Sequence, residues 1–557
     1  MTAGGAGVGV AMGAVRVAHA GGAPATVTIE TTTGPPGTYL YLPFDVPRGV
    51  NRIDVKATKQ VAEAKIGVGL FDQRGAGYQS PGFRGIYGEE RAELFVASHA
   101  ASEAFLPGRI EPGEWTVVIP TFPGPPTPVT VTIQLSHGPQ APARRIEPAP
   151  DTVIDRPGWY RGDLHAHTPH SSDAWSSGSA LTPRMWAEAA VELGLDFVAV
   201  TDHNVVAQNL QLRSDSKGLP VLLLAGEEMT NWFHGHATVS GIDPGDWLDW
   251  RQTPAGLPLP TGQAGARITD FLRDARALGG FVSAAHPFGL HLSWQFLAEG
   301  IADPAALPDA LEVWTGQWQP DDEAALHAWD SLLSKGSRIA ANGGSDMHGL
   351  NNSEALLPGT PTTVVCASAL SRPAILDALR RGRGFIQRAP DAAEIFLSAT
   401  GPEGQHEIVG GTIRGAAGDP VEVSARVRGG GGMRFTFVVG GVPTAPTVLS
   451  EDDQVVTTTV PIGAVPYVRA EVRNDIALFP DPSNVRSSRA DMECFTNPVF
   501  LEVGEPQPSS TLQLPPPPPR PQAVTQRRLL ERFGMGPGSG VPVSTSRCPA
   551  CQGHDHG

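Results

Sequence analysis

Ten of the sixteen histidines lie between His165 and His348, and most stand where a short apolar segment ends. Phe197–Val200 runs into Thr201-Asp202-His203, Val221–Ala225 into Gly226-Glu227-Glu228, and Phe281–Ala285 into His286-Pro287. Ile339–Ala341 leads to Ser345-Asp346-Met347-His348, and Leu311–Trp314 is a further apolar segment. Asp163-Leu164-His165-Ala166-His167 opens the series with Asp173 six residues on, and His234-Gly235-His236 precedes the run Ala237-Thr238-Val239. Helical stretches separate the segments. Thr182 is placed to cap the first, with Pro183 at its first position and Gly194 at its stop, and others are expected near Ile268–Leu278 and Glu323–Leu333. This alternation predicts a parallel, barrel-like sheet in which every strand delivers its C-terminal end to one face. Six sets of His, Asp and Glu then converge on one place. Along a strand, residues i and i+2 share a side, so His165-x-His167 and Asp346-x-His348 each offer two donors to one ion. Carboxylates suit divalent cations and can bridge two of them, so the pattern points to a metal site.

The flanks carry a different period. Val129, Val131, Ile133 and Leu135 alternate with polar residues, Ile53–Lys56 and Trp115–Ile119 read as strands, and Gly/Pro turns such as Glu111-Pro112-Gly113 punctuate them. Residues 27–148 are therefore expected to form an N-terminal β-sandwich or jelly-roll-like domain, with Pro148–Pro157 as a linker. Alternation returns at Val421, Val423, Ala425 and Val427 and predicts a C-terminal β domain over residues 390–503, in which the glycine run Gly429–Gly432 is a turn between strands. Residues 1–26 read as a disordered leader, and residues 504–557, with prolines at 515–519, as a Pro-rich disordered tail.

Composition removes several classes. With 41 basic and 57 acidic residues the net charge is −16, which argues against nucleic acid as a partner. No apolar run reaches the roughly 18–20 residues of a membrane span, so no membrane insertion is expected. Four cysteines are too few for a disulfide framework; Cys366 and Cys494 read as buried small residues. Cys548-x-x-Cys551-x-x-His554-x-His556 gathers four soft ligands, with no surrounding fold to organise them. A cytoplasmic protein is expected. Export is the alternative, since Ala18-His19-Ala20 loosely resembles a signal-peptidase site.

Asp163-Leu164-His165-Ala166-His167-Thr168 with Asp173, Thr201-Asp202-His203, Gly226-x-Glu228, Ala285-His286-Pro287 and Ser345-Asp346-x-His348 together resemble the polymerase-and-histidinol-phosphatase (PHP) domain, over residues 159–388. The flanking β domains resemble the carbaryl-hydrolase-like subgroup of those metallohydrolases. The resemblance implies a multidomain α/β and β chain, a distorted (β/α)7 barrel flanked by β-sandwich-like domains, with two or three divalent ions (Zn, Mn or Fe). It implies that His165, His167, Glu228 and Asp346 hold a first ion. Glu228 would bridge to a second held by His236 and His286, and Asp173, His203 and His348 would hold a third. Asp202 would orient a neighbouring ligand. From the residues alone Glu227 competes with Glu228, and His234 with His236; the family's spacing favours Glu228 and His236.

The expected chemistry is hydrolysis of a small-molecule substrate by a metal-activated water. Asp346, His348 and Asp202 are the residues expected to serve it, Asp346 and the non-bridging histidines by moving protons. Phosphoester hydrolysis is the leading reaction and carbamate or amide ester hydrolysis the alternative. A non-catalytic, metal-stabilised binding protein is the reading from another class. His170 and His291 are substrate contacts or solvated loop residues, and Asp246-Trp247-Leu248-Asp249-Trp250-Arg251 either roofs the site or packs in the core. The sequence leaves the oligomeric state open.

Overall fold

The computed structural model describes residues 15–18, 25–35, 37–89, 91–140, 142, 150–254, 265–289, 293–351, 356–474, 491–506 and 515–535. His291, the Cys548–His556 cluster and most of the leader lie outside them. The chain divides into two compact units, residues 1–146 with 258–265 and residues 147–257 with 266–557. No helix among the described residues is long and apolar enough to cross a membrane.

The first unit holds two antiparallel sheets. A five-stranded sheet orders Val15–Ala18, Ala25–Thr32, Pro128–His137, Val50–Lys59 and Glu93–Ala97, and a four-stranded sheet orders Tyr39–Val46, Gly113–Pro120, Val68–Phe71 and Phe83–Tyr87. The alternation read from the sequence holds: Val129, Val131, Ile133 and Leu135 are buried, and the residues between them are not.

The second unit is built on a mixed sheet. Its first strands are β1 (Gly158–Ala166), β2 (Phe197–Val200), β3 (Leu222–Asn231), β4 (Gly235–Ser240), β5 (Phe281–Ala285), β6 (Ala310–Thr315), β7 (Ala340–Gly344), β8 (Thr362–Ala367) and β9 (Gly384–Gln387). They lie in the order β7-β6-β5-β4-β3-β2-β1-β8-β9. All ten residues of β3 are buried, as a central strand covered on both faces requires. The segment after β7 returns to the end of β1: the Asp346 amide donates to the His165 carbonyl at 2.9 Å, and Ala166 bridges Met347 in parallel. The ligand-bearing end of β1 and the ligand-bearing segment after β7 are thus adjacent.

The expectation of a parallel sheet needs correction. β4 runs antiparallel to both β3 and β5. Only Trp232, Phe233 and His234 join β3 to β4, far fewer residues than a parallel crossover needs. Gly235 makes the tight return: it sits at φ +108°, and a Cβ there would lie 2.7 Å from the Ser293 carbonyl oxygen.

The helices include α1 (Ser172–Ser176), α2 (Pro183–Leu193), α3 (Ile268–Ala277), α4 (Pro320–Ser334), α5 (Arg372–Arg380) and α6 (Gln526–Arg532). The end signals of α2 act as read: the Thr182 hydroxyl accepts from the Met185 amide, and Gly194 closes the helix at φ +75°. Its buried Trp186 donates Nε1–H to the His167 carbonyl at 2.8 Å, tying this helix to the ligand strand.

The 390–503 region is less separate than its sequence period implied. β9 pairs with Asp491–Thr496, and the sheet continues through Tyr467–Asn474 to Arg434–Val439. A further antiparallel sheet orders His406–Ile408, Glu394–Thr400, Pro420–Arg428 and Asp453–Pro461. Val421, Val423, Ala425, Val427 and Phe435 share one buried cluster with Trp159 of β1 and Phe385 of β9. A charged seam joins the same parts. Asp330 of α4 accepts from Arg469 at 2.8 and 2.7 Å and from the Tyr467 hydroxyl at 2.7 Å.

The expectation of a disordered tail over 504–557 is corrected across Pro515–Met535. The Trp159 indole donates to the Pro515 carbonyl at 3.3 Å, Arg428 to Pro518 at 2.6 Å and Arg161 to Pro519 at 3.2 Å. An extended proline run leaves its carbonyls without internal partners, so a segment that cannot build a core can still dock on one. α6 follows, with Leu529 fully buried in the cluster that contains Trp186 and Leu193.

Candidate metal centre

The strand-end loops hold their side chains by a dense set of bonds. Asp163, fully buried in β1, accepts from the amides of His165 at 3.2 Å, Ser345 at 3.0 Å and Gly359 at 2.7 Å. It thereby stitches β1 to the loops after β7. Asp202 accepts from the amide and hydroxyl of Thr168, both at 2.7 Å, and from the amide and hydroxyl of Ser171 at 3.1 and 2.8 Å. Asn204, His286 and Asp346 hold φ of +53°, +30° and +50°. Non-glycine residues pay for that region, so such positions persist only where the surroundings fix them.

All nine expected ligands meet. His165, His167, Glu228 and Asp346 form one group whose donor atoms lie within 4.8 Å of one another. His203, Glu228 and His236 form a second and His167, His203 and His348 a third. A single ion with bonds of about 2.0–2.2 Å can gather such a group with small side-chain shifts. His286 joins through Nε2, 3.3 Å from Glu228 Oε1. Asp173 Oδ2 lies 3.1 Å from His203 Nε2 and 3.3 Å from His348 Nε2, and those two imidazole nitrogens are 3.3 Å apart. Glu228 sits at the middle, with Oε1 2.8 Å from His236 Nδ1 and Oε2 2.6 Å from His203 Nδ1.

Charge and burial set the protonation of the ion-free cluster. Burial, with His348 and His203 nearby, pushes His167 down to about 3, and burial pushes His236 down to about 4. His165 and His203 move the other way. Burial is the largest influence and opposes their charge, but Asp346, Glu312 and Glu228 around His165, and Glu228 and Asp173 around His203, outweigh it. Burial likewise opposes ionisation of Glu228, Asp173 and Asp346, yet the surrounding histidines hold all three below the ordinary carboxylate range. Asp202, with no such neighbour strong enough, is driven by burial up to about 6.

The residues fit a metal. His165 Nε2, His236 Nε2 and Glu228 Oε2 are buried without a well-directed hydrogen bond, Glu228 Oε2 keeping an ion-pair contact with His203 and His165 Nε2 one with Asp346. Buried polar atoms are otherwise paired as a rule, and these three belong to the groups just described. A bound cation would satisfy them and displace the histidine protons.

The geometry separates the competing residues. His236 faces Glu228, whereas His234 is half-buried and bonds Gln295 at 3.1 Å. Glu227 accepts from the Leu248 amide at 3.0 Å, away from the cluster. Asp202 touches no proposed ligand side chain in these bonds and acts through Ser171, whose hydroxyl lies 3.1 Å from His167 Nδ1 and 3.1 Å from the His203 amide. His170 is buried against the Thr168 hydroxyl at 3.2 Å. Trp247 and Trp250 of the 246–251 segment are buried. Cys366 and Cys494 are buried as expected. Glu312 was missed: it reaches His165, and the signal was a lone carboxylate inside the apolar run Leu311–Trp314.

No family model and no curated protein matches the chain. Among solved structures, a protein described as a proposed metal-dependent phosphoesterase from Bifidobacterium adolescentis is 19% identical, with 34% of this chain and 87% of that chain covered at a TM-score of 0.25. An amidohydrolase from Chromobacterium violaceum, with bound sulfate and no metal, is 20% identical, with the same 34% and 87% covered and a TM-score of 0.25. These likenesses are distant, and the chemistry rests on the residues of the cluster itself.

Proposed function

We propose that the chain is a metal-dependent hydrolase whose multinuclear centre, on a PHP-type distorted barrel, cleaves phosphoesters. The observation that carries this reading is the gathering of buried imidazoles and carboxylates into three overlapping ligand groups, in which His165, His236 and Glu228 each keep a buried atom without a directed hydrogen bond. Imidazole with carboxylate suits Zn, Mn or Fe. Bound there, such ions would supply Lewis acidity and an activated water.

The chain's own residues set the approach. Side chains of His165, His167 and Glu228 are wholly covered, whereas Asp346 keeps 16%, His203 15% and His348 14% exposure. Substrate therefore enters over Asp346, His348 and His203. Asp346 Oδ1, 2.9 Å from His167 Nε2 and 3.7 Å from His348 Nδ1, is placed to hold or pass a proton on that side. Ser171 and Asp202 keep His167 and His203 in place beneath it.

The test is turnover of p-nitrophenyl phosphate, bis-p-nitrophenyl phosphate and 1-naphthyl N-methylcarbamate by Zn- and Mn-loaded protein and by an Asp346→Asn variant. Phosphoester turnover that the variant loses is the expected result. Turnover of the carbamate alone would move the assignment to carbamate hydrolysis. Metal-loaded protein that turns over none would leave a binding protein.

A further inference from the structure

We propose that Glu312 is the positioning residue of the centre, locking two ligands at once by fixing the ring of His165 and the backbone of His286. It rests on the reading that these histidines hold metal. Glu312 lies in β6 between Leu311 and Val313 and is 1% exposed. Both its carboxylate oxygens are 3.1 Å from His165 Nδ1. Oε2 also accepts from the His286 amide at 3.0 Å and from the Thr315 hydroxyl at 3.0 Å.

These contacts decide which nitrogen is engaged. Both oxygens of Glu312 face Nδ1 of His165, and Oε2 also serves the His286 amide and the Thr315 hydroxyl. With Nδ1 so committed, Nε2 is the nitrogen left to ligate, and it makes no directed hydrogen bond but faces the ligand carboxylates, 3.2 Å from Asp346 Oδ1 and 3.4 Å from Glu228 Oε2. A carboxylate behind a ligating imidazole fixes its ring and raises its basicity. The same carboxylate holds the amide of His286, whose φ of +30° needs external support. His165 and His286 belong to different ions in the proposed centre, so one side chain couples the two. Room for it comes from β7, where a Cβ on Gly344 would lie 2.8 Å from Glu312 Oε1 and 2.4 Å from His165 Cβ.

A glutamine at this position cannot serve three donors, because its amide nitrogen must face one of them. The test is Co(II) titration of ion-free wild type and Glu312→Gln, followed by visible absorbance, with circular dichroism as the check on folding. We expect a folded variant with cobalt affinity lowered about 10- to 100-fold and an altered cobalt spectrum. A folded variant with the wild-type affinity and spectrum overturns the role of Glu312. Should the variant not fold, ¹⁵N-imidazole NMR of Zn-loaded wild type decides: His165 protonated on Nδ1 supports the proposal, and His165 protonated on Nε2 overturns it. Wild type that takes up no cobalt overturns the metal reading and this proposal together, whereas wild type that binds beside an unaffected variant overturns this proposal alone.

Discussion

Leu529→Ala probes the least expected element, the docked C-terminal helix. α6 has seven residues, too short to persist alone in water. Its ion pairs join Arg528 and Arg532 to Glu192, with the arginines 66% and 43% exposed, and exposed pairs contribute only about 0–1 kcal/mol each. Docking therefore rests on apolar burial, led by Leu529, fully buried beside Trp186 and Leu193, with Val524, Leu530, Phe533 and Met535 partly buried around it. Removing a buried leucine side chain costs about 2–5 kcal/mol. A terminal segment can open alone, so the loss appears as local release. At 1.4 kcal/mol per tenfold, opening becomes about 30- to 4,000-fold more frequent. Limited trypsin digestion followed by mass spectrometry reads this at Arg527, Arg528 and Arg532, because cleavage tracks the open population when opening is fast. Faster cleavage there, with the main thermal transition in place, is expected. Equal cleavage rates in the two proteins would refute the reasoning.

Other perturbations follow from single contacts. Asp330→Ala strips the buried Arg469 guanidinium of two bonds at 2.8 and 2.7 Å but leaves it Glu471 at 2.8 Å, and should cost about 1–3 kcal/mol in urea unfolding; no measurable loss would mean the seam is not closed. Gly162→Ala places a Cβ within 2.1–2.3 Å of the Phe197 ring, so overpacking should cost at least about 1–3 kcal/mol, partly relieved by Phe197→Leu. The ion-free protein should show a pH signature. The raised pKa values of His165, His203 and His286 give stability present below about 6.5 and lost as pH climbs through those values. The depressed Glu228, Asp173 and Asp346 give stability present above about 4 and lost on acidification. The ion-free Tm should therefore fall from pH 6.5 toward 9, while the Zn-loaded Tm does not; parallel curves would contradict the assigned shifts.

Local signals were legible where chemistry is local. Thr182, Pro183 and Gly194 bound α2 as read, and Val129–Leu135 alternates as a half-buried strand should. The ligand residues were visible because most lie at or close to the end of an apolar segment, and burial in three dimensions only collects them. What escaped depended on long-range partners. The antiparallel β4 follows from a three-residue turn that the helix–strand rhythm around it masked. The proline run looked coreless because its own residues bury little, and its docking depends on Trp159, Arg161 and Arg428, all distant in sequence. Glu312 reads as an anomaly inside an apolar strand until His165, 147 residues away, is placed against it.

Metal uptake tests the central claim most directly. Protein stripped by chelator, reloaded with Zn or Mn, freed of excess and analysed by mass spectrometry for metal per chain should hold two or three ions. Glu228→Gln, which removes the carboxylate shared by the His165 and His236 groups, should hold at least one fewer. Wild type that retains no metal, or a variant that retains the same number, would contradict the account.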